Sequence, residues 1–335
     1  MRTATPKPEP YPILKRSGFE IRQPSGLPSL KAGKFRVVDV AVAGDAPKDF
    51  VRIYRYGEGR RSRPSNWPGW IAKVGHKYYA NESVTEHLLT RIGQALGLNV
   101  ADSQLMWFGG QLRFLSRYFL RHKTQSLVHG AEIFAGFLAD RAFVEEVEQR
   151  DEARNLFTFQ FVEQALQSRF PARWEQLRVE FTRLLAFDAI VGNNDRHFYN
   201  WGVIVDVMGR RPPMFSPVFD TARALYWNTI ESRLGEISRD RNRRRAQLEK
   251  YVERCFPKTG WDGIPAPNHF TLIRSIVQGR PDLRSALQSL PVHELRNHVR
   301  TLLAGEFKRL ISPLRGDFIL ECLDRRATLF GEAVR

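Results

Sequence analysis

The sequence predicts an α+β chain in two lobes, a small one of mostly antiparallel strands carrying one helix and a larger one that is mainly helical. Three observations support this. Between Phe35 and Ser116, short β-branched and aromatic runs alternate with Gly, Pro and Ser turns, and one helical stretch interrupts them. Beyond Tyr118, apolar residues recur at three- and four-residue spacing almost to the C-terminus. The 335 residues are 42% hydrophobic and 26% charged, an ordinary globular composition with enough apolar mass for a sizeable core.

Taken in order, residues 1–33 hold Pro, Lys, Ser and Gly without periodicity and read as a loosely ordered lead-in. Residues 35–42 and 50–56 read as strands, with a turn over 43–49. Residues 57–66 form a loop by their Gly, Pro and Ser content, and residues 70–74 form a third strand. Val84, Leu88, Ile92 and Leu96, with Leu89 beside them, mark a helix that Gly97 stops. Two strands, 104–108 and 112–116, follow across the two-residue turn Gly109-Gly110. Residues 34–118 thus make the small lobe and 119–335 the large one. In the latter, helical spacing recurs near 131–140, 141–148, 155–168 and 174–191, the last carrying Leu177, Phe181, Leu184, Leu185 and Ile190 and ending at Gly192. A hairpin of 201–207 and 214–219 turns at 209–213, and the tail from about Asn268 is helical again. No internal repeat is visible.

Composition excludes several classes. No apolar run reaches the ~20 residues needed to span a bilayer, and residues 1–10 have no apolar core of a secretory signal. Cys255 and Cys322 are the only cysteines, so neither a disulfide framework nor a cysteine metal site is expected, which fits a reducing cytoplasm. The balance is strongly basic, net +16 with pI about 10.2. Direct nucleic-acid binding is one reading of that charge; arginine spread over many faces is the plainer and favoured one. The densest basic run, residues 239–245, reads as a solvated loop. Trp67, Trp70, Trp107 and Trp201 read as core, and His76, His87 and His129 lack the spacing of metal ligands.

The chemistry concentrates in Gly192-Asn-Asn-Asp-Arg-His-Phe-Tyr-Asn200 and Phe215-Ser-Pro-Val-Phe-Asp220. Phosphoryl transfer needs oxygen ligands for Mg²⁺, a carboxylate near the attacking hydroxyl and cations on the phosphates. Asp195 lies in a loop between a buried helix and a hairpin; Asn200, five residues on, is an uncharged oxygen ligand, and Asp220 can return a carboxylate to the same metal. Asp and Asn five apart are commonly just turn-formers, but this pair follows a buried helix and precedes a hairpin that ends in an acid. Lys73, in an apolar strand where a lone ammonium is costly, is the candidate for gripping phosphate; the competing reading is an edge-strand lysine. Its partner is Glu82 or Glu86, which lie on one helix face. Either 43–47 or the loop with Gly57 and Gly59 closes over the phosphates. His197 reads as positioning the loop around Asp195.

Three strands, a helix and two strands is the order of a protein-kinase small lobe, and the assembled motifs resemble the HipA-like serine/threonine kinase family. Residues 190–200 are similar to its Gly-Asn-x-Asp-x-His-x-x-Asn loop, and 215–220 to its Pro-x-Tyr-Asp metal motif. Glu86, ten residues before Leu96-Gly-Leu-Asn-Val100, takes the register of the family's helix and so becomes the expected partner of Lys73. Leu115-Ser-Arg-Tyr-Phe119 resembles the hinge. The resemblance covers roughly residues 50–269. It implies ATP and Mg²⁺ as cofactors, Asp195 as catalytic base, Asn200 and Asp220 as metal ligands, Lys73 on the phosphates, and the backbone at Ser116 and Tyr118 against adenine. It further implies a protein Ser/Thr substrate, autophosphorylation with Ser62 or Ser65 as acceptor, and the toxin-type role of members restrained by a DNA-binding antitoxin. The chain is shorter than the full-length toxins, is expected to lack their N-terminal subdomain, and shows no recognisable phosphate-loop serine motif. A phosphoinositide or small-molecule kinase shares the Asp-x-x-x-x-Asn pattern, and a non-enzymatic nucleic-acid-binding protein on a kinase scaffold is the third alternative. The intact set Lys73, Asp195, Asn200 and Asp220 speaks against that last one.

Overall fold

Runs of β-branched and aromatic residues near the N-terminus pair into a single antiparallel sheet. The computed structural model describes residues 14–19, 27–39, 47–121 and 124–335. In it β1 (Phe35–Val38), β2 (Lys48–Ile53), β3 (Gly69–Lys73), β4 (Ser103–Phe108) and β5 (Gln111–Arg117) lie in the order β1-β2-β3-β5-β4, with α1 (Asn81–Ala95) inserted between β3 and β4. The turn at Gly109 and Gly110 has φ of 61° and 76°, the left-handed backbone that a two-residue hairpin demands. One sheet face packs Phe35, Val51, Trp70, Phe108 and Leu115 together. The other joins Leu105, Leu112 and Phe114 to Val84, Leu88, Leu89 and Ile92 of α1, continuous with the core of the helical lobe. Residues 40–46, which include the end of the expected first strand and most of the following turn, lie outside the described residues. In the lead-in, Ser17 donates to the Tyr79 carbonyl and Leu30 to that of Trp107, so its described pieces are pinned to the sheet lobe.

The large lobe contains β6 (Gln125–His129), α2 (Gly130–Leu138), α3 (Arg141–Gln149), α4 (Ala153–Leu156), α5 (Phe159–Arg169), α6 (Trp174–Val191), β7 (Gly202–Asp206), β8 (Met214–Phe215), α7 (Glu231–Ser238), α8 (Arg241–Glu253), α9 (His269–Gly279), α10 (Arg284–Gln288), α11 (Leu295–Ala304) and α12 (Pro313–Ala333). The five apolar residues that mark α6 in the sequence are all buried, and the helix packs against α5, α9, α10 and α12. An aromatic cluster of Phe134, Phe157, Phe181, Phe198, Trp201 and Phe215 fills the space between α2, α6 and the three-stranded sheet β6-β7-β8.

Four expectations need correction. The hairpin gains a third strand, β6, whose Gln-Ser-Leu-Val-His sequence is too short to announce itself and forms by pairing with β7. The expected strand over 214–219 stops at Phe215, because Pro217 has no N–H for a ladder. Val218 instead pairs with the segment after α1, donating to Asn99 O at 2.8 Å and accepting from Ala101 N at 3.1 Å. The helix expected over 155–168 divides into α4 and α5, with the Thr158 hydroxyl accepting from Phe161 N to cap the second. The basic run at 239–245 is not a loop: Asp240 caps α8 by accepting from Arg243 N, and arginine is a good helix former. Arg244 ties that helix to Glu321 of α12. Among the described residues no helix is long and apolar enough to cross a membrane.

Candidate active site

Lys73 is the last residue of β3, which has β2 on one side and β5 on the other, so the edge-strand reading of this lysine falls. Its ammonium lies 2.8 Å from Glu86 Oε1 and 3.2 Å from Asp220 Oδ1. Glu82 is engaged elsewhere, accepting from the amides of Lys77 and Tyr78 at 2.9 and 3.0 Å. The choice that spacing leaves open is thereby settled geometrically for Glu86. Burial works against the Lys73 charge, but Asp220 and Glu86 outweigh it and hold the ammonium above the ordinary lysine range. Burial pushes the Glu86 carboxyl up, against the pull of Lys73. At Asp220 burial pushes the same way, yet Lys73, Lys48 and Arg196 bring the carboxyl down to about 2.

Asp220 sits at φ 54°, left-handed backbone that turns its side chain away from the strand direction, and the side chain keeps 40% of its surface exposed. Its approach to Lys73 is fixed from behind: Val218 is hydrogen-bonded to the turn that follows α1, the helix carrying Glu86.

The loop holding Asp195 begins where α6 ends at Gly192, φ 75°. A Cβ there would crowd the guanidinium of Arg326 at 3.0 Å, and that buried arginine donates to Ala189 O. Asp188, buried on the last turn of α6, accepts from Asn193 Nδ2 at 2.9 Å and from Arg196 Nε and Nη2 at 2.9 and 3.1 Å. The remaining Arg196 nitrogen donates to the carbonyls of Asn200 (2.8 Å) and Phe219 (2.7 Å). One guanidinium therefore fixes the backbone at both Asn200 and the residue before Asp220.

Asn200 Nδ2 donates to Asp195 O at 2.8 Å, which leaves the carboxamide oxygen as the outward group. Asp195 Oδ1 accepts from Arg223 Nη1 at 2.8 Å. Burial pushes the Asp195 carboxyl up and Asp220 adds to this, while Arg223 and His197 oppose; the net shift is upward. His197 braces the loop as its spacing suggests: its amide donates to Asp195 O, its carbonyl accepts from Asn200 N, and its Nδ1 accepts from Tyr199 N.

Lys73, Glu86, Ser116, Tyr118, Asp195, Asn200 and Asp220 all border one cleft of about 710 Å³ between the lobes. The Tyr118 amide already donates to Gly69 O at 2.9 Å, and Phe119 and Leu120, which follow it, also border the cleft. Lys48 pairs in register with Lys73 and lines the same cleft, so the segment just before β2 adjoins the Lys73 end. The loop with Gly57, Gly59, Ser62 and Ser65 joins the opposite ends of β2 and β3, away from Lys73.

The sequence reading missed Lys48, Asp188, Arg196 and Arg223. Asp188 had a signal, a carboxylate inside the otherwise apolar stretch 184–191, where it needs a buried cation. Arg223 had none. The donor set suits a hard cation: Asn200 offers an amide oxygen and Asp220 an ionised carboxylate, one oxygen of which is shared with Lys73.

Asp188→Asn keeps the shape but leaves Arg196 buried without its anion. The expected cost is about 3–5 kcal/mol of folding stability, read as a lowered urea midpoint at unchanged slope.

The profile of the HipA-like C-terminal domain family matches residues 40–276. No curated protein sequence matches the chain. Among solved structures the chain is similar to the proinflammatory kinase CtkA of Helicobacter pylori, at 15% identity and TM-score 0.67 over 89% of this chain and 94% of that one. It is also similar to HipA of Shewanella oneidensis MR-1, solved with HipB and operator DNA, at 13% identity and TM-score 0.49 over 94% of this chain and 67% of that one. The likeness to CtkA shows a shared bilobal, kinase-like fold. With the profile spanning most of its length, the chain belongs to the HipA-like C-terminal domain family.

Proposed function

We propose that the chain is a Mg²⁺- and ATP-dependent protein serine/threonine kinase, with residues 34–118 as its nucleotide-binding lobe and 119–335 as its catalytic lobe. One observation carries the reading: Lys73, paired to Glu86 and Asp220, faces Asp195 and Asn200 across a single cleft. Lys73 and Lys48 offset phosphate charge. The nucleotide base lies against Ser116, Tyr118 and the adjoining backbone of Phe119 and Leu120. Asn200 and Asp220 would hold the metal, which would supply positive charge against the phosphate oxygens. Asp195 accepts the proton of the attacking hydroxyl, and its raised carboxyl is better matched to that work than an ordinary aspartate. Arg223 orients that carboxylate through the 2.8 Å contact. A growth-inhibiting role of the kind the family resemblance implies would appear as arrest on induction that Asp195→Asn abolishes.

Radiolabelled ATP offered with protein acceptors, phosphoinositide vesicles and no acceptor tests the reading. Label is expected on protein Ser/Thr, dependent on added Mg²⁺, and lower by about 10²–10⁴-fold in Asp195→Asn, with a comparable loss in Asp220→Asn. If both variants fold and match the wild type, the assignment is wrong; label on lipid alone moves the acceptor class.

The pH profile follows from the Asp195 environment. The base works only when ionised, so activity is retained above its pKa and lost as pH falls through it. Because burial raises that pKa, the acid limb of kcat/KM, which reports the free enzyme, lies higher than for an unperturbed aspartate. Arg223→Gln removes a group that lowers it, so the limb moves to higher pH, while an Arg223 of purely structural importance would leave the limb in place.

A further inference from the structure

Next to the catalytic loop lies a second cavity, of about 220 Å³, with walls of three origins. Asn194, the immediate neighbour of Asp195, forms one; Trp227 and Asn228, beyond Asp220, form another; Gln247, Lys250 and Arg254 of α8 and its C-terminus form the third. No Asp or Glu borders the cavity. Lys250 and Arg254 stand one helical turn apart, are exposed, and make no side-chain hydrogen bond or ion pair among the described residues. By contrast Arg196, Arg244 and Arg315 are each committed to a carboxylate. The carboxamides of Asn194, Asn228 and Gln247 are likewise uncommitted among the described residues, so the cavity offers hydrogen-bond donors and two positive charges together. Trp227 gives it one aromatic wall, whose ring is already stacked by Arg223 at 5.6 Å.

From this we infer that the cavity selects the acceptor: it receives an acidic side chain of the polypeptide whose hydroxyl is presented to Asp195. The inference rests on the kinase reading above and deepens it. Asn194 and Asp195 are adjacent, and an extended chain advances about 3.3–3.6 Å per residue. A side chain roughly two to four residues from the phosphorylated Ser or Thr is carried about 7–14 Å along such a chain, and the preference is sought at those positions. Carboxylate and phosphate share the needed chemistry, acceptor oxygens with negative charge. At the start of α8, Arg241 and Arg245 make no ion pair among the described residues and extend the positive field around the same helix, while Arg243 acts on Glu236.

The test uses the full chain and a peptide set with one Ser and, two to four residues to either side, Asp, phosphoserine, Ala or Lys. Binding is followed by fluorescence anisotropy without ATP, and transfer by kcat/KM. Peptides with Asp or phosphoserine are expected to bind and react about three- to tenfold better than those with Ala, as a few partly exposed charge pairs allow, with the advantage shrinking at high salt. Lys250→Glu with Arg254→Glu should invert the preference in favour of Lys, and Lys250→Gln with Arg254→Gln should flatten it. Both positions are exposed, and thermal melting checks that the variants fold. Equal binding and turnover of acidic and neutral peptides by the wild type overturns the inference. So does tight binding of a single-stranded oligonucleotide, dependent on Lys250 and Arg254, with no binding of acidic peptides. If acidic peptides bind through Lys250 and Arg254 but nothing is phosphorylated, the acidic-peptide site stands and the kinase reading falls.

Discussion

The contact between Asp188 and Arg196 sets the geometry on which the rest of the site depends. Both side chains are almost wholly buried, and the guanidinium uses its remaining donor on the carbonyls of Asn200 and Phe219. Burying two ions is expensive, and such a pair commonly adds little net stability over an apolar replacement. What an apolar pair cannot do is hold two separate stretches of backbone at a set distance. A rigid, planar fork of five donors can. The oxygens at Asn200 and Asp220 come from positions twenty residues apart in the chain, and Arg196 fixes the main chain at or beside each.

A second constraint works across the lobes. Lys73 arrives from the sheet, Glu86 from α1 and Asp220 from the large lobe, and they form one cluster of two carboxylates and one ammonium. Its formal sum is negative, so an added cation lowers its energy, and Lys48 and Arg196 already lean on the same carboxylate. The depressed Asp220 carboxyl is the signature of these cationic neighbours, Lys73 first among them. It also keeps the oxygen ionised across the physiological range, as the metal-holding role proposed for it requires. The backbone pairing of Val218 with Asn99 and Ala101 makes the cluster less dependent on its charges alone. Through it the segment bearing Asp220 and the turn after the helix bearing Glu86 are held to each other.

Much of this was readable in the sequence, and the parts that were not share a physical cause. Periodicity located the five strands, α1 and α6, since each buries one repeating face. The Asp195, Asn200 and Asp220 spacing was readable because all three stand close in the chain, on either side of the β7 and β8 pair. Spacing alone placed the partner of Lys73 only to within one helical turn, as Glu82 occupies the same face, and the family register chose Glu86; in space Glu86 meets Lys73 while Glu82 caps the amides of Lys77 and Tyr78. β6 could not be read because its pairing is supplied by a strand over seventy residues away. Arg223 and Lys48 were invisible for the same reason: a cation's partner is chosen by the fold, and spacing says nothing of it. The basic run at 239–245 was misread because charge density was taken for solvation, when Asp240 at its head supplied a helix cap.

That misreading bears on what the large net charge is for. Where an arginine is buried, it has an acidic partner or a set of carbonyls: Arg196 on Asp188, Arg315 on Glu231 and the carbonyls of Tyr226 and Thr229, Arg326 on Ala189 and Val252. These charges are internal struts, and their fields are largely cancelled where they stand. The surplus that remains is placed unevenly, and α8 carries an uncancelled share of it on the flank of the catalytic loop. A surface charge far from any reaction would serve solubility equally well anywhere. Charge set beside Asn194 and Asp195, on a helix capped and tied down by Arg244 to Glu321, acts instead on whatever approaches that carboxylate. On the reading proposed above it would favour an acceptor that carries anions of its own over a basic one, and so make the helix a filter on substrates as well as a part of the scaffold.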